Sequence, residues 1–335
     1  MKKLIILIAS FVLISCNCEL ESLIFKHFQK FIKKYNKKYS SINEYLARYQ
    51  VFRNNLMSII NSEKSSFKSG INQFSDLTEQ EFSKTYLNLN FDAIATINMS
   101  PYIVKNTKSA PPSYDWRNYG RVGGLRELGS CTATWALVAI ENLEGLYYSL
   151  KGKFEYLSIQ MLIDCDTKDS GCNGGLMEYA FAWIKSNGGK VMLEKDYPYV
   201  GYKSECKYDE SKTVDMRVTG YKKLGSSWST FSPVDEDEIK EFLYETGPLA
   251  IALNAKMLQT YSSGIIDATS TQCPSSGINH AVLLVGYGTD STIGLDYWIA
   301  QNSWGKSWGE SGYFRIRRGN GTCGVNCYIT TAIVS

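Results

Sequence analysis

The sequence predicts an α+β protein whose helices come before its strands, preceded by a leader and a basic helical segment. Three observations carry this. Apolar residues recur at helical spacing over 134–148, 157–164 and 176–186. Alternating or β-branched runs follow at 249–253, 281–287, 296–301 and 312–317. The two patterns do not interleave as strand–helix–strand units, which argues against a doubly wound sheet. With 335 residues, 44% hydrophobic and 21% charged, the chain has enough apolar side chains for a sizeable core.

From the N-terminus, Lys2 and Lys3 precede the apolar run Leu4–Ile14 and small residues around Ser15. This reads as a secretory signal peptide over 1–18, too short to span a bilayer. Leu13-Ile14-Ser15-Cys16 is also compatible with a bacterial lipidation box. No later stretch approaches the ~20 apolar residues of a membrane helix, so no membrane association is expected after the leader is removed. Two helices follow, on Leu23, Ile24, Phe28, Phe31 and Tyr35 and then on Leu46, Tyr49, Val51, Phe52, Leu56 and Ile59, separated by a polar loop at Ser40 to Asn43. Residues 91–113 lose periodicity and collect Asn, Ser, Thr and Pro, as an exposed linker open to processing does. The expected division is 1–18 leader, 19–109 prosegment with a core at 24–82, and 110–335 body.

Charge divides along the same boundary. Thirteen Lys and Arg face seven acidic residues over 20–109, whereas 21 face 25 over 110–335. The two parts should attract each other. The basic part carries no nucleic-acid motif, so docking within the molecule or a solvated helix face is the reading, with no nucleic-acid partner. Nine cysteines are present. Outside the leader these are Cys131, Cys165, Cys172, Cys206, Cys273, Cys323 and Cys327, an odd set that leaves at least one thiol unpaired. With only two histidines in the chain, no metal constellation appears, and no cofactor is expected. Asn98-Met99-Ser100 and Asn320-Gly321-Thr322 are glycosylation acceptor patterns at Asn98 and Asn320.

The series Glu44, Arg48, Val51, Phe52, Asn55, Ile59, followed by Gly70-x-Asn72-x-Phe74-x-Asp76, resembles the prosegment signature of cathepsin L-like proteins, with Glu63 where that signature has asparagine. Four stretches of the body resemble papain-family motifs: Asp115-Trp116-Arg117 with Gly120 and Val122; Gly171-Cys172-Asn173-Gly174-Gly175-Leu176-Met177; Asn279-His280-Ala281-Val282 through Gly288; and Gln301-Asn302-Ser303-Trp304-Gly305 with Trp308-Gly309 and Gly312-Tyr313. The resemblance implies a papain-like fold, a helical domain facing a β-rich domain across a groove. It also implies an inhibitory propeptide lying in that groove in the reverse of a substrate's direction. Gly174 and Gly175 would let an extended peptide backbone approach and pair.

A cysteine peptidase needs a thiolate at a helix N-terminus, an imidazole beside it, and a third group to orient the ring. By the resemblance the last two are His280 and Asn302, with Trp304 shielding their hydrogen bond. His280 is the body's single candidate base, because His27 lies in the prosegment. The family's Gln-Gly-x-Cys-Gly-Ser-Cys-Trp-Ala-Phe aligns without a gap on Leu128-Gly129-Ser130-Cys131-Thr132-Ala133-Thr134-Trp135-Ala136-Leu137. Thr134 therefore stands at the nucleophile and Leu128 at the oxyanion glutamine. The resemblance also implies the disulfides Cys131–Cys172, Cys165–Cys206 and Cys273–Cys323, with Cys327 left over.

A threonine hydroxyl cannot form the thiolate–imidazolium pair, and known threonine nucleophiles use an N-terminal amine that an internal position lacks. The expectation is a secreted pseudoenzyme, extracellular or in a lysosome-like compartment. It should be monomeric and bind extended peptides, protein substrates or inhibitors in its groove as well as its own propeptide. Two rivals stand beside it. One is residual proteolysis through Thr134 with His280 as base, or through Cys131 if its disulfide breaks. The other is a structural or storage protein that keeps only the fold.

Overall fold

The computed structural model describes residues 19–61, 66–87, 89, 109–224 and 233–335. The leader over 1–18 and the acceptor pattern at Asn98 lie outside them. Helices α1 (19–34) and α2 (Ile42–Asn61) cross through a small aromatic core of Ile24, Phe28, Phe31, Phe52 and Leu56. The Phe31 and Phe52 rings are 5.0 Å apart. Ile42, placed by the sequence reading in the loop, opens α2. Strand β1 (Phe67–Ser69) and helix α3 (Glu79–Tyr86) complete the prosegment. α3 starts in a capping box, the Thr78 side chain accepting from Glu81 N while Glu81 answers the Thr78 backbone. Arg48 ties α2 to α3 by donating to both Glu81 oxygens at 2.9 and 2.8 Å, and Lys37 pairs with Asp76 at 2.8 Å.

The body runs β2 (Tyr114–Asp115), α4 (Thr134–Lys151), α5 (Ile159–Cys165), α6 (Met177–Ser186), β3 (Val218–Leu224), α7 (Glu236–Thr246), β4 (Leu249–Leu253), β5 (Tyr261–Ile266), β6 (His280–Asp290), β7 (Leu295–Gln301), β8 (Tyr313–Arg317) and β9 (Ile329–Val334). The strands order as β1-β5-β8-β7-β6-β4-β9-β3, with β2 on β6. The prosegment thus supplies the edge strand, β1 pairing antiparallel with β5.

α4 is buried at every position from Thr134 to Tyr147, its polar Glu141, Asn142 and Glu144 each hydrogen-bonded inside the protein. It packs on α5 and α6 on one side and on the sheet on the other. The sheet makes room by alternation: Ala250 and Ala252 of β4 face α4, while Leu249, Ile251 and Leu253 point into a second core with Trp298, Trp308 and Phe314. α4 ends where Gly152 adopts φ 68° and its N–H bonds Tyr148 O.

The α+β expectation holds, with differences in detail. The 157–164 pattern shortens because Ser158 caps α5, accepting from Met161 N, and Leu157 bridges Leu193. β3, β5 and β9 were not read as strands, nor α3 and α7 as helices. Val218–Leu224 has a polar, lysine-rich C-terminal half, and Tyr261–Ile266 is interrupted by Ser-Ser-Gly. Three disulfides close Cys131–Cys172, Cys165–Cys206 and Cys273–Cys323, and Cys327 is a buried free thiol. No helix among the described residues is long and apolar enough to cross a membrane.

Candidate active site

Thr134 is the first residue of α4 and is 2% exposed. The loop that leads into it is pinned from three sides. The Tyr199 hydroxyl donates to Leu128 O at 2.5 Å and to Cys131 O at 3.2 Å, Cys131 is bridged to Cys172, and Trp135 Nε1 donates to Gly171 O at 3.0 Å. These contacts hold the N-terminus of α4 against the Gly171–Gly175 segment. Gly175 has to be glycine: a Cβ there would lie 2.6 Å from Asp169 Oδ1 and 2.7 Å from the Trp135 ring. Asp169 Oδ1 accepts from Leu176 N at 2.9 Å. Burial and the neighbouring Asp166 raise the Asp169 carboxyl above its ordinary value. Gly174 and Gly175 are both buried.

His280 opens β6 and Asn302 follows the last residue of β7, strands that pair antiparallel through Leu283 and Gln301. Their register brings His280 Nε2 to 2.8 Å from Asn302 Oδ1. The same oxygen accepts from Ser303 N at 2.8 Å, which fixes the amide orientation and assigns the imidazole proton to Nε2. The His280 Nδ1 lone pair has no hydrogen-bond partner. Trp304 covers the ring at 4.8 Å between centroids. Burial lowers His280 to about 4, with Asn302 and the Tyr86 backbone pulling the other way. The ring is therefore neutral at neutral pH.

The prosegment roofs this centre. Phe74 and Phe82 meet Trp304 edge-on at 5.2 and 5.3 Å, Gln73 Nε2 donates to Trp304 O at 2.7 Å, and Leu89 N donates to Asn279 O at 3.2 Å. Beneath the roof lies a cavity of about 170 Å³ whose walls include Thr134, Leu128, Ser303 and Trp304. Leu128 is 4% exposed and belongs to the helical core; its side chain offers no donor. The sequence reading did not single out Ser303, Gln73, Tyr86 or Tyr199. Ser303 stood inside a quoted motif without a role, and nothing in the sequence marks Tyr199. Asn320 is exposed in a turn, its Oδ1 accepting from Thr322 Oγ1 at 3.2 Å. Cys327 lines a different cavity, with Glu236 and Asn326, and burial raises its thiol.

Residues 110–333 match the papain family cysteine proteases and residues 28–82 the cathepsin propeptide inhibitor domain. Cysteine proteinase 15A of Pisum sativum is 38% identical over 91% of this chain and 85% of its own length. A cysteine proteinase of Trypanosoma brucei brucei is also 38% identical, over 92% of this chain and 66% of its own. Among solved structures, digestive procathepsin L 3 from the larval midgut of Tenebrio molitor superposes with a TM-score of 0.80 at 32% identity, covering 92% of this chain and 99% of that one. A recombinant stem bromelain precursor does so with 0.80 at 33%, covering 92% and 98%. The chain belongs to the papain family of cysteine proteases, cathepsin L-like in architecture, and carries its own cathepsin propeptide inhibitor domain ahead of the protease body.

Proposed function

We propose that this protein is a non-hydrolytic member of the family that binds extended peptides, protein substrates or inhibitors in the groove between its helical and β-rich domains. Thr134 takes the place of the nucleophilic cysteine and Leu128 that of the oxyanion glutamine. The observation that carries the reading is the buried Thr134 hydroxyl at the start of α4, where hydrolysis needs a thiolate. A hydroxyl has no low-pKa anion to offer an imidazole, and a ring lowered to about 4 is a weak base. Leu128 removes a donor typically worth ~10²–10³ in rate. Loss of a nucleophile costs up to about 10⁶, and effects within one catalytic unit do not multiply. Proteolysis through Cys131 would require opening a disulfide that is closed here.

What supports binding is the surviving scaffold: the His280–Asn302 pair at 2.8 Å, Trp304 over it, and the Gly174–Gly175 wall. We place the protein on the secretory route, extracellular or in a lysosome-like compartment, and read it as a monomer.

The test uses full-length protein nicked in the 91–109 linker and freed of its prosegment at acid pH, with its fold verified by circular dichroism. Fluorescent peptide amides of six to eight residues should bind saturably and be recovered uncut by mass spectrometry. Absence of binding, or peptides returned as fragments, would overturn the reading.

A further inference from the structure

Two buried hydroxyls without hydrogen-bond partners lie on residues that line the cavity beside α4. They are Thr134 Oγ1 and Ser303 Oγ, on residues 2% and 6% exposed that line the same walls. Hydroxyl groups so deeply buried are ordinarily paired. Into the same space points the start of an 18-residue helix whose first turn has neither a side-chain cap nor an acidic residue. Thr134 N already donates to Thr132 O at 2.7 Å, and Ala136 N and Leu137 N donate to Ala133 O at 3.1 Å, so it is the helix dipole that favours negative charge there. Leu128 closes another wall with an apolar side chain, which lowers the local dielectric and strengthens any charge-assisted bond.

We propose that, once the prosegment has left, this site holds the C-terminal carboxylate of a peptide lying in the groove. The protein would thereby prefer peptides with a free carboxylate end, the class of product that other endopeptidases release. This rests on the groove-binding reading above and adds to it the chemistry of the ligand's end. The thiolate's negative charge is supplied by the ligand, and His280, stacked against the Trp304 wall at 4.8 Å, is the group that can answer it by taking up a proton.

The charged surroundings set the sign. Glu127 is the acidic residue at the cavity and opposes binding, but it is exposed and screened. Tyr86, the other titratable lining residue, has its phenol raised by burial and by Asp76, stays neutral, and departs with the prosegment. Because a carboxylate favours imidazolium, binding takes up at most one proton at His280. Affinity therefore rises as pH falls from 7 to 5, by up to about tenfold per unit.

The experiment compares one peptide sequence as free acid and as amide, on the nicked, prosegment-free protein at pH 5 and pH 7. The acid form should bind about 10–100-fold more tightly at pH 5, the range of a hydrogen-bonded charge, and less so at pH 7. His280→Gln, which keeps a neutral hydrogen-bonding side chain, should remove the pH dependence of the acid form's advantage over the amide. Glu127→Gln should raise acid-form affinity a few-fold. Competition by millimolar acetate would assign the site to free carboxylates and its absence to peptide termini, both upholding carboxylate chemistry. Equal affinity of acid and amide would overturn the inference and leave the groove reading standing; failure of both to bind would overturn that reading itself.

Discussion

Glu141 sits two turns into α4 with its carboxyl wholly buried. Loss of water pushes it up to about 8, Arg126 opposes the rise and Glu144 adds to it. Gln301 Nε2 donates to it at 2.9 Å, and Tyr313 donates to Gln301 Oε1 at 3.0 Å. The chain of bonds joins the helix that starts at Thr134 to the residue before Asn302. Its folded pKa lies above its unfolded value, so the stability it contributes is full below pH 4.5 and is lost as pH rises through about 8. Glu141→Gln can still accept from Gln301 and never ionises. It should match the native protein in thermal melts at pH 5 and exceed it at pH 9 by about 2–5 kcal/mol; equal melting at both would show that Glu141 is not buried as described. None of this was legible in the sequence, where Glu141 looks like any helical surface residue. His280 and Asn302 were legible because one histidine in the body and a specific Asn-Ser-Trp-Gly run select them. The cavity between Gln73, Leu128 and Ser303 was not, since it is assembled from segments far apart in the chain.

At the scale of elements, the prosegment closes over a neutral His280 and is itself braced by Arg48–Glu81. Burial lowers His280 to about 4 in the closed form, so where opening returns water to the ring, proton uptake favours the open form. Arg48 holds the Glu81 carboxyl below its ordinary value, with burial opposing. Protonating Glu81 removes that pairing, though its exposure keeps the effect small. Both act in one direction, and the prosegment should loosen as pH falls from 6.5 to 4. In hydrogen exchange, α3 should lose protection across that window, and His280→Gln should shift the loss to lower pH. An unchanged midpoint would remove His280 from the account. The helices were readable where their apolar stripe was long, as in α2 and α4. α3 was short and its Thr78-x-x-Glu81 box was the only signal, while β1 exists only because the body offers β5 as an edge.

For the whole molecule, the scaffold of a papain-family precursor is present, and on the proposed reading the groups that would make it cut are altered. The aromatic roof, the Cys131–Cys172 disulfide, the glycine wall and the His–Asn pair form one arrangement around the head of α4. If the account is right, Thr134 and Leu128 are the two side chains that separate it from hydrolysis, and Thr132 and Ala133, which stand where the family has Gly-Ser, do not prevent the turn from presenting a nucleophile. The most direct measurement is turnover of a fluorogenic dipeptide, after acid processing, by the native protein and by the double substitution Thr134→Cys with Leu128→Gln. The account predicts a silent native protein and an active variant whose activity is abolished by adding His280→Ala. Turnover by the native protein that His280→Ala abolishes would contradict it.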